Sequence, residues 1–260
     1  VMTTYRQRLT SSLHAIEESL KRRRENLSSD LQDVSEVSES DLQTGDLAGR
    51  EEVLRREYGL KVDQIGANSP AGERVRQFEL SELEGFIAQL YDVPEDPKLE
   101  QLMQDLNELS AKARDTVIIF TQYTDTLDAI KRKVSVSHYN VGTYSGSGGE
   151  MYDAANDEWT GVSKERVKRE FTDPEGDLSI LVCTDSASEG LNLQTCDAMI
   201  NYDMPWNPQV VEQRIGRIDR IGQTNEKVLV WNYIYDDTVE EDIYERLGER
   251  ISLFEQAVGP

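Results

Sequence analysis

The stretch Thr116-Val117-Ile118-Ile119-Phe120 and, further along, Ser179-Ile180-Leu181-Val182-Cys183 are short, almost unbroken apolar runs rich in β-branched residues. Runs of this length are too short for a core helix and carry no polar face. They read as strands of a parallel sheet buried on both sides. Ala198-Met199-Ile200-Asn201-Tyr202 is a third such strand, and Lys227 to Ile234 a last one; a weaker strand is expected near His138–Thr143. Helical spacing fills the gaps. Leu127, Ile130 and Val134 share one face, as do Val167 and Phe171. Asn207-Pro208 is a capping residue followed by proline at the first helical position, which opens a third helix. Val239, Ile243, Leu247, Ile251 and Phe254 make a final one. Strands alternating with helices define an α/β fold, a doubly wound parallel sheet with helices on both faces. The Gly/Ser-rich segment Ser145–Gly149 and the polar stretch to Gly161 read as loop, with acidic residues Glu150 to Glu158 facing solvent.

Toward the amino terminus the pattern changes. Tyr5, Leu9, Leu13, Ile16, Leu20 and Leu27 fall at helical steps, predicting one helix over 4–27 that ends near Arg22, Arg23 and Arg24. Residues 26–49 hold no Lys or Arg and are rich in Ser, Asp and Glu, the composition of an acidic linker. Val75, Phe78, Leu83, Phe86, Ile87 and Leu90 predict a second helix. Beyond Pro94 and Pro97, Leu99, Leu102, Met103, Leu106 and Leu109 predict a third. The expected division is therefore a helical region, 1–110, followed by the α/β domain, 111–260. No repeat of 20 to 50 residues is present.

Of the 260 residues, 50 are Asp or Glu and 28 are Lys or Arg, a formal net charge of -22. That excludes a generally basic nucleic-acid coat but not a local basic groove, since binding responds to the field at one site. The acid excess is spread, -10 over residues 1–110 and -12 over 111–260, and Arg outnumbers Lys 19 to 9. A lysine-poor, evenly acidic surface fits a protein of a high-salt cytoplasm, where about 1 M salt shortens screening to ~3 Å; an ordinary acidic protein is the plainer reading. No apolar run reaches the ~18 residues of a membrane span. The sequence opens at Val1 rather than Met, which points to a fragment of a longer protein, and without a charged-then-apolar leader, which points to a cytoplasmic one. Cys183 and Cys196, the only cysteines, read as reduced thiols, with Cys183 in the core. His14 and His138 have no metal-ligand spacing.

In an open parallel sheet, function gathers in the loops beyond the carboxyl ends of the strands. Three segments stand there: Thr121-Gln122-Tyr123; Thr184-Asp185-Ser186-Ala187-Ser188-Glu189-Gly190-Leu191-Asn192-Leu193-Gln194; and Gln213-Arg214-Ile215-Gly216-Arg217-Ile218-Asp219-Arg220-Ile221-Gly222-Gln223. In the last, Arg214, Arg217 and Arg220 recur every third residue, with Val211, Ile215, Ile218 and Ile221 between them to anchor the segment. Fixed guanidiniums suit phosphate, whose oxygens their fork matches. On spacing alone, pairing with neighbours such as Glu212 or Asp219 is the stronger reading.

Together these segments resemble the motifs of the carboxyl-terminal RecA-like lobe of superfamily-two helicases and translocases. Val117–Ile130 resembles motif IV, Val182–Gln194 motif V, and Gln213–Gln223 motif VI. The endings Ile221-Gly222-Gln223 and Ser188-Glu189-Gly190-Leu191-Asn192-Leu193-Gln194 resemble the Swi/Snf branch, in its bacterial and archaeal proteins related to the RNA-polymerase-associated ATPase. The resemblance covers about 112–260. It implies that Arg217 and Arg220 are catalytic, reaching ATP phosphates across a cleft. It implies that Gly190, Asn192, Gln213 and Arg214 serve ATP binding or coupling. It places Thr121, Gln122, Ser145, Gly146 and Thr184 on nucleic-acid phosphates. Asn192 stands where many relatives carry Asp.

No G-x-x-x-x-G-K-[ST] loop occurs in the sequence, nor an Asp-Glu pair after an apolar strand. In such motors those parts belong to a first RecA-like lobe, which would hold ATP and Mg and would be this lobe's partner. Double-stranded DNA is the implied track; RNA or RNA polymerase is the other partner to weigh. The rival expectation is a RecA-like module that binds nucleic acid or protein without turnover. Trp206 is expected to anchor its loop, and Glu189 to act structurally rather than as a general base.

Overall fold

The computed structural model describes residues 2–28, 70–93, 95–112, 116–135, 139–173, 175–185, 193, 195–205, 207–218, 228–236, 238, 240–241, 244 and 248. The chain divides into two compact units, 1–96 and 97–260.

The first unit holds three described helices, α1 (Met2–Ser11), α2 (Leu13–Ser28) and α3 (Pro70–Tyr91). The expected single helix over 4–27 is two, because the chain breaks at Ser12. The Ser12 hydroxyl accepts the Ala15 amide at 3.0 Å and so opens α2. The Leu13 amide donates to Asp96 at 2.8 Å. Ile16, Leu20 and Leu27 of α2 bury against Leu83 and Ile87 of α3. Phe78 and Phe86, which the spacing assigned to the same apolar face, are exposed instead. Among the arginines near the end of α2, Arg23 pairs with Glu79 at 2.8 Å.

The second unit opens with α4 (Pro97–Ala111). Sequence grouped this helix with the helical region, yet Leu102, Leu106 and Leu109 are fully buried in the core of the sheet unit. Then follow β1 (Val117–Thr121), α5 (Thr124–Ser135), β2 (Val141–Ser145), β3 (Gly148–Asp153), β4 (Glu158–Val162), α6 (Lys164–Thr172), β5 (Ile180–Thr184), β6 (Ala198–Asn201), α7 (Pro208–Ile218) and β7 (Leu229–Asn232). The sheet runs β4-β3-β2-β5-β1-β6-β7. Strands β2, β5, β1, β6 and β7 are parallel; β3 and β4 are antiparallel to their neighbours.

The period of two sorts the core. Val117 and Ile119 point with Val182 and Ile200 toward α4 and α5, meeting Leu106, Leu127 and Ile130. Ile118 and Phe120 point the other way with Leu181 and Met199, meeting Val167 and Phe171 of α6 and Ile218 of α7. Fully burying one such side chain contributes about 1.5–3 kcal/mol, which is why these apolar runs dominate the fold.

The sheet is therefore mixed, and the region read as a solvent-facing acidic loop is a β-hairpin. After a two-residue turn, Gly148 takes φ +144, a conformation open to glycine, and starts β3 back along β2. Tyr152 stacks obliquely on Trp159 across the hairpin at 5.4 Å, and Glu150 pairs with Lys131 of α5 at 2.6 Å. Asp153 accepts the Ala155 amide and the Asn156 side chain within the turn. The final helix expected from Val239 to Phe254 has its apolar positions outside the described residues, as have His138, Glu189 and Trp206. No helix among the described residues is long and apolar enough to cross a membrane.

Candidate functional site

Because the five parallel strands point the same way, β1 and β5 bring Thr121 and Thr184 to their carboxyl ends in register with each other, and β6 and β7 bring Asn201 and Asn232 there in register with Phe120, one residue earlier. The tie that joins them is Arg214. Asn207 caps α7, its side chain accepting the Gln209 amide at 3.1 Å, with Pro208 as the first helical residue. Two turns on, Arg214 points into the sheet and is 1% exposed. Its guanidinium grips Asp185, the residue after β5, with both oxygens: Nε to Oδ1 at 2.6 Å and Nη2 to Oδ2 at 2.7 Å. Nη1 donates to the Asn201 side chain at 2.8 Å and to the Asp203 carbonyl at 3.2 Å, and the group lies over the Phe120 ring at 5.2 Å. Asn201 in turn donates to Asn232 at 2.6 Å. One side chain thus ties α7 to the ends of β1, β5 and β6, and through Asn201 to β7.

A second carboxylate locks the loop after β1. Asp203 is buried; it accepts the Thr121 hydroxyl at 2.6 Å and the Gln122 amide at 2.9 Å. The Leu193 amide donates to the Arg217 carbonyl at 3.4 Å, which joins the end of the second segment to the last turn of α7.

These bonds sort the candidates. Arg214 and Thr121 use their polar atoms inside the unit, so they position the edge. Gln213 is exposed on α7, and Arg217, one turn beyond Gln213, is half-buried. Gln122 is half-buried beyond Asp203, and Thr184 is buried at the end of β5. Ser145 bonds to Ser147 at 2.7 Å across the turn where Gly146 is exposed, so this turn lies on the same edge as Thr121 and Thr184. Gly190, Asn192 and Arg220 lie outside the described residues. Of the described candidates, Gln122, Gln213 and Arg217 are at least partly exposed, and their amide and guanidinium groups are donors that suit phosphate oxygens. No cluster of three His, Cys, Asp or Glu fit to hold a metal occurs among the described residues.

Sequence reasoning passed over Asp203 and gave Asp185 and Asn201 no role. Their signal was present: a polar residue at the end of an apolar strand needs a partner when buried. Cys183 and Cys196 are both buried, and burial pushes the Cys196 thiol up to about 12 and raises that of Cys183 as well. Cys196 donates weakly to the Ala198 carbonyl at 3.1 Å, so it packs and caps rather than reacts.

Residues 97–222 match the model of the helicase conserved C-terminal domain. An uncharacterized ATP-dependent helicase of Bacillus subtilis (strain 168), YqhH, is 39% identical over 152 residues, 58% of this chain and 25% of the relative. The RNA polymerase-associated protein RapA of Yersinia pestis (strain Pestoides F) is 34% identical over 94 residues, 36% of this chain and 10% of the relative. The chain thus spans a quarter or less of these relatives. A crystal structure of the C-terminal part of the Fun30 ATPase domain overlays 90% of this chain and 85% of its own, at 18% identity and a TM-score of 0.48.

Proposed function

We propose that this chain is the second motor lobe of an ATP-dependent translocase of the Swi/Snf type, acting on double-stranded DNA. The observation that carries the proposal is the placement of α7. Arg214 is clamped inside the sheet, and this fixes the helix that carries Gln213 and Arg217 beside the ends of β1 and β5. A guanidinium held on a helix rooted this firmly costs little reorganisation when a phosphate arrives.

In this reading ATP and Mg are held by a first RecA-like lobe, and the two lobes close on the nucleotide. Arg217, with Arg220, then neutralises the charge that spreads over the transferred phosphoryl group, a role worth about 10³–10⁵ in rate. Gly190 and Asn192, with Gln213, serve ATP binding and its coupling to the nucleic-acid contacts. Gln122, the Ser145–Gly146 turn and Thr184 hold backbone phosphates without reading bases, which suits stepping along any sequence. Thr121 acts through the Asp203 lock rather than on the phosphate itself. RNA and RNA polymerase are alternative partners, the latter suggested by the name of the RapA relative. Absence of the P-loop sequence from this chain supports its being inactive alone. The acid-rich surface supports a high-salt cytoplasm as its setting.

The test is steady-state ATP hydrolysis by the longer protein with double-stranded DNA, single-stranded DNA and RNA in turn. Stimulation by double-stranded DNA above the other two is expected. Stimulation by RNA alone would reassign the track, and no turnover with any of them would favour a binding module.

A further inference from the structure

A second buried polar cluster lies apart from the Arg214 clamp. Lys98, in the first turn of α4, and Glu240, in the segment after β7, are 5% and 1% exposed and pair at 3.1 Å. An ion pair taken this far out of water contributes little net stability by itself, and breaking it is costly. What distinguishes this pair is what else it holds. One Glu240 oxygen accepts the Met204 amide at 3.5 Å and the other the Tyr235 amide at 3.2 Å. Lys98 donates to the Tyr233 carbonyl at 3.5 Å and lies over the Tyr235 ring at 4.5 Å. The Thr238 hydroxyl accepts the Glu240 amide at 3.3 Å and so fixes the turn that aims this carboxylate inward.

Met204 is the significant contact. It follows Asp203, whose carboxylate locks Thr121 and Gln122 and whose carbonyl receives Arg214. Its side chain packs on Val211 and Ile215 of α7. We infer that Lys98 and Glu240 are positioning residues: their buried pair braces the loop between β6 and α7, and so sets the aim of α7 and of the Asp203 lock. The brace reaches the start of α4, where the chain enters this unit, and the segment through which it continues past β7. A shift at either point is thereby passed to the loop from which α7 departs. That the aim of α7 governs ATP turnover rests on the motor reading above; the brace itself does not.

Two measurements separate these claims. In the 260-residue chain, Glu240→Gln keeps the size of the side chain but leaves one oxygen for two backbone amides. Amide hydrogen exchange at Gln122 and Met204 is expected to quicken at least tenfold, with the β2–β3 amides unchanged. Exchange at Gln122 equal to wild type in the folded variant would overturn the brace. Should the single variant fail to fold, Lys98→Met combined with Glu240→Gln leaves no charge buried alone, and the same exchange pattern is expected of it. In the longer protein, Glu240→Gln is expected to lower kcat for ATP about tenfold and leave KM within twofold, while Lys98→Arg, which keeps the charge, stays near wild type. Faster exchange with unchanged kcat would overturn the positioning role. A wild-type longer protein without ATP turnover would instead remove the motor reading, and the brace would stand on the exchange result.

Discussion

Replacing Arg214 by Met tests whether the edge is built as described. Met roughly fills the volume but removes every polar contact. Asp185, 15% exposed, loses both of its Arg214 bonds, and the buried Asn201 carbonyl loses its donor. Removing one partner of a buried pair costs about 3–5 kcal/mol, and the partial exposure of Asp185 places this case near ~3. The orphaned Asn201 acceptor adds about 1 kcal/mol. The total, about 4 kcal/mol, converts to roughly 8–16 °C in Tm at the ~2–4 °C per kcal/mol expected of a unit this size. Thermal unfolding followed by circular dichroism reads it, with Arg217→Met as the matched control. Arg217 is only half-buried, and its loss should change stability by about 0.5 kcal/mol. Adding Asp185→Asn to Arg214→Met should recover part of the loss, with a coupling of about 0.5–3 kcal/mol. Equal, small shifts for Arg214→Met and Arg217→Met would refute the buried clamp.

Neither Cys183 nor Cys196 should react with iodoacetamide at pH 8 in the native protein, since burial raises both thiols; both should react in guanidinium, and native labelling seen by mass spectrometry would contradict their placement. A net charge of -22 repels itself less as screening shortens from ~10 Å at 0.1 M to ~3 Å at 1 M salt, so Tm should rise markedly with potassium chloride. A flat Tm across that range would remove the high-salt reading. The 260-residue chain alone should show no ATP turnover with any nucleic acid; DNA-stimulated hydrolysis by it would end the two-lobe account.

Much of the sheet was legible because its strands are buried on both faces. Val117–Phe120, Ile180–Cys183 and Ala198–Asn201 have nowhere to go but a parallel core. The capped start of α7 at Asn207-Pro208 was legible for a local reason, a side chain that bonds its own helix. The hairpin β3–β4 was not, because its pairing is long-range and its composition polar; Tyr152 against Trp159 and Lys131 against Glu150 replace the apolar face. The break at Ser12 was hidden inside an unbroken helical period, and depends on Asp96, far along the chain. Three segments beyond the strand ends stood out in the sequence, but the division of labour among their described residues did not. Spacing treats Arg214 and Arg217 alike, whereas the fold buries one against Asp185 and leaves the other near the surface.

In the proposed motor, this lobe completes an ATP site whose floor lies on another. Steady-state ATP hydrolysis by the longer protein, with nucleotide affinity measured alongside, tests it on Arg217→Ala and Arg220→Ala. Each is expected to lose about 10³-fold in turnover, or ~4 kcal/mol of transition-state stabilisation, with ATP binding largely kept. Lys at either position should rescue poorly, because a point charge lacks the planar fork. Turnover near wild type in both variants would contradict the claim, since arginines that only pair at the surface are worth ~0–1 kcal/mol.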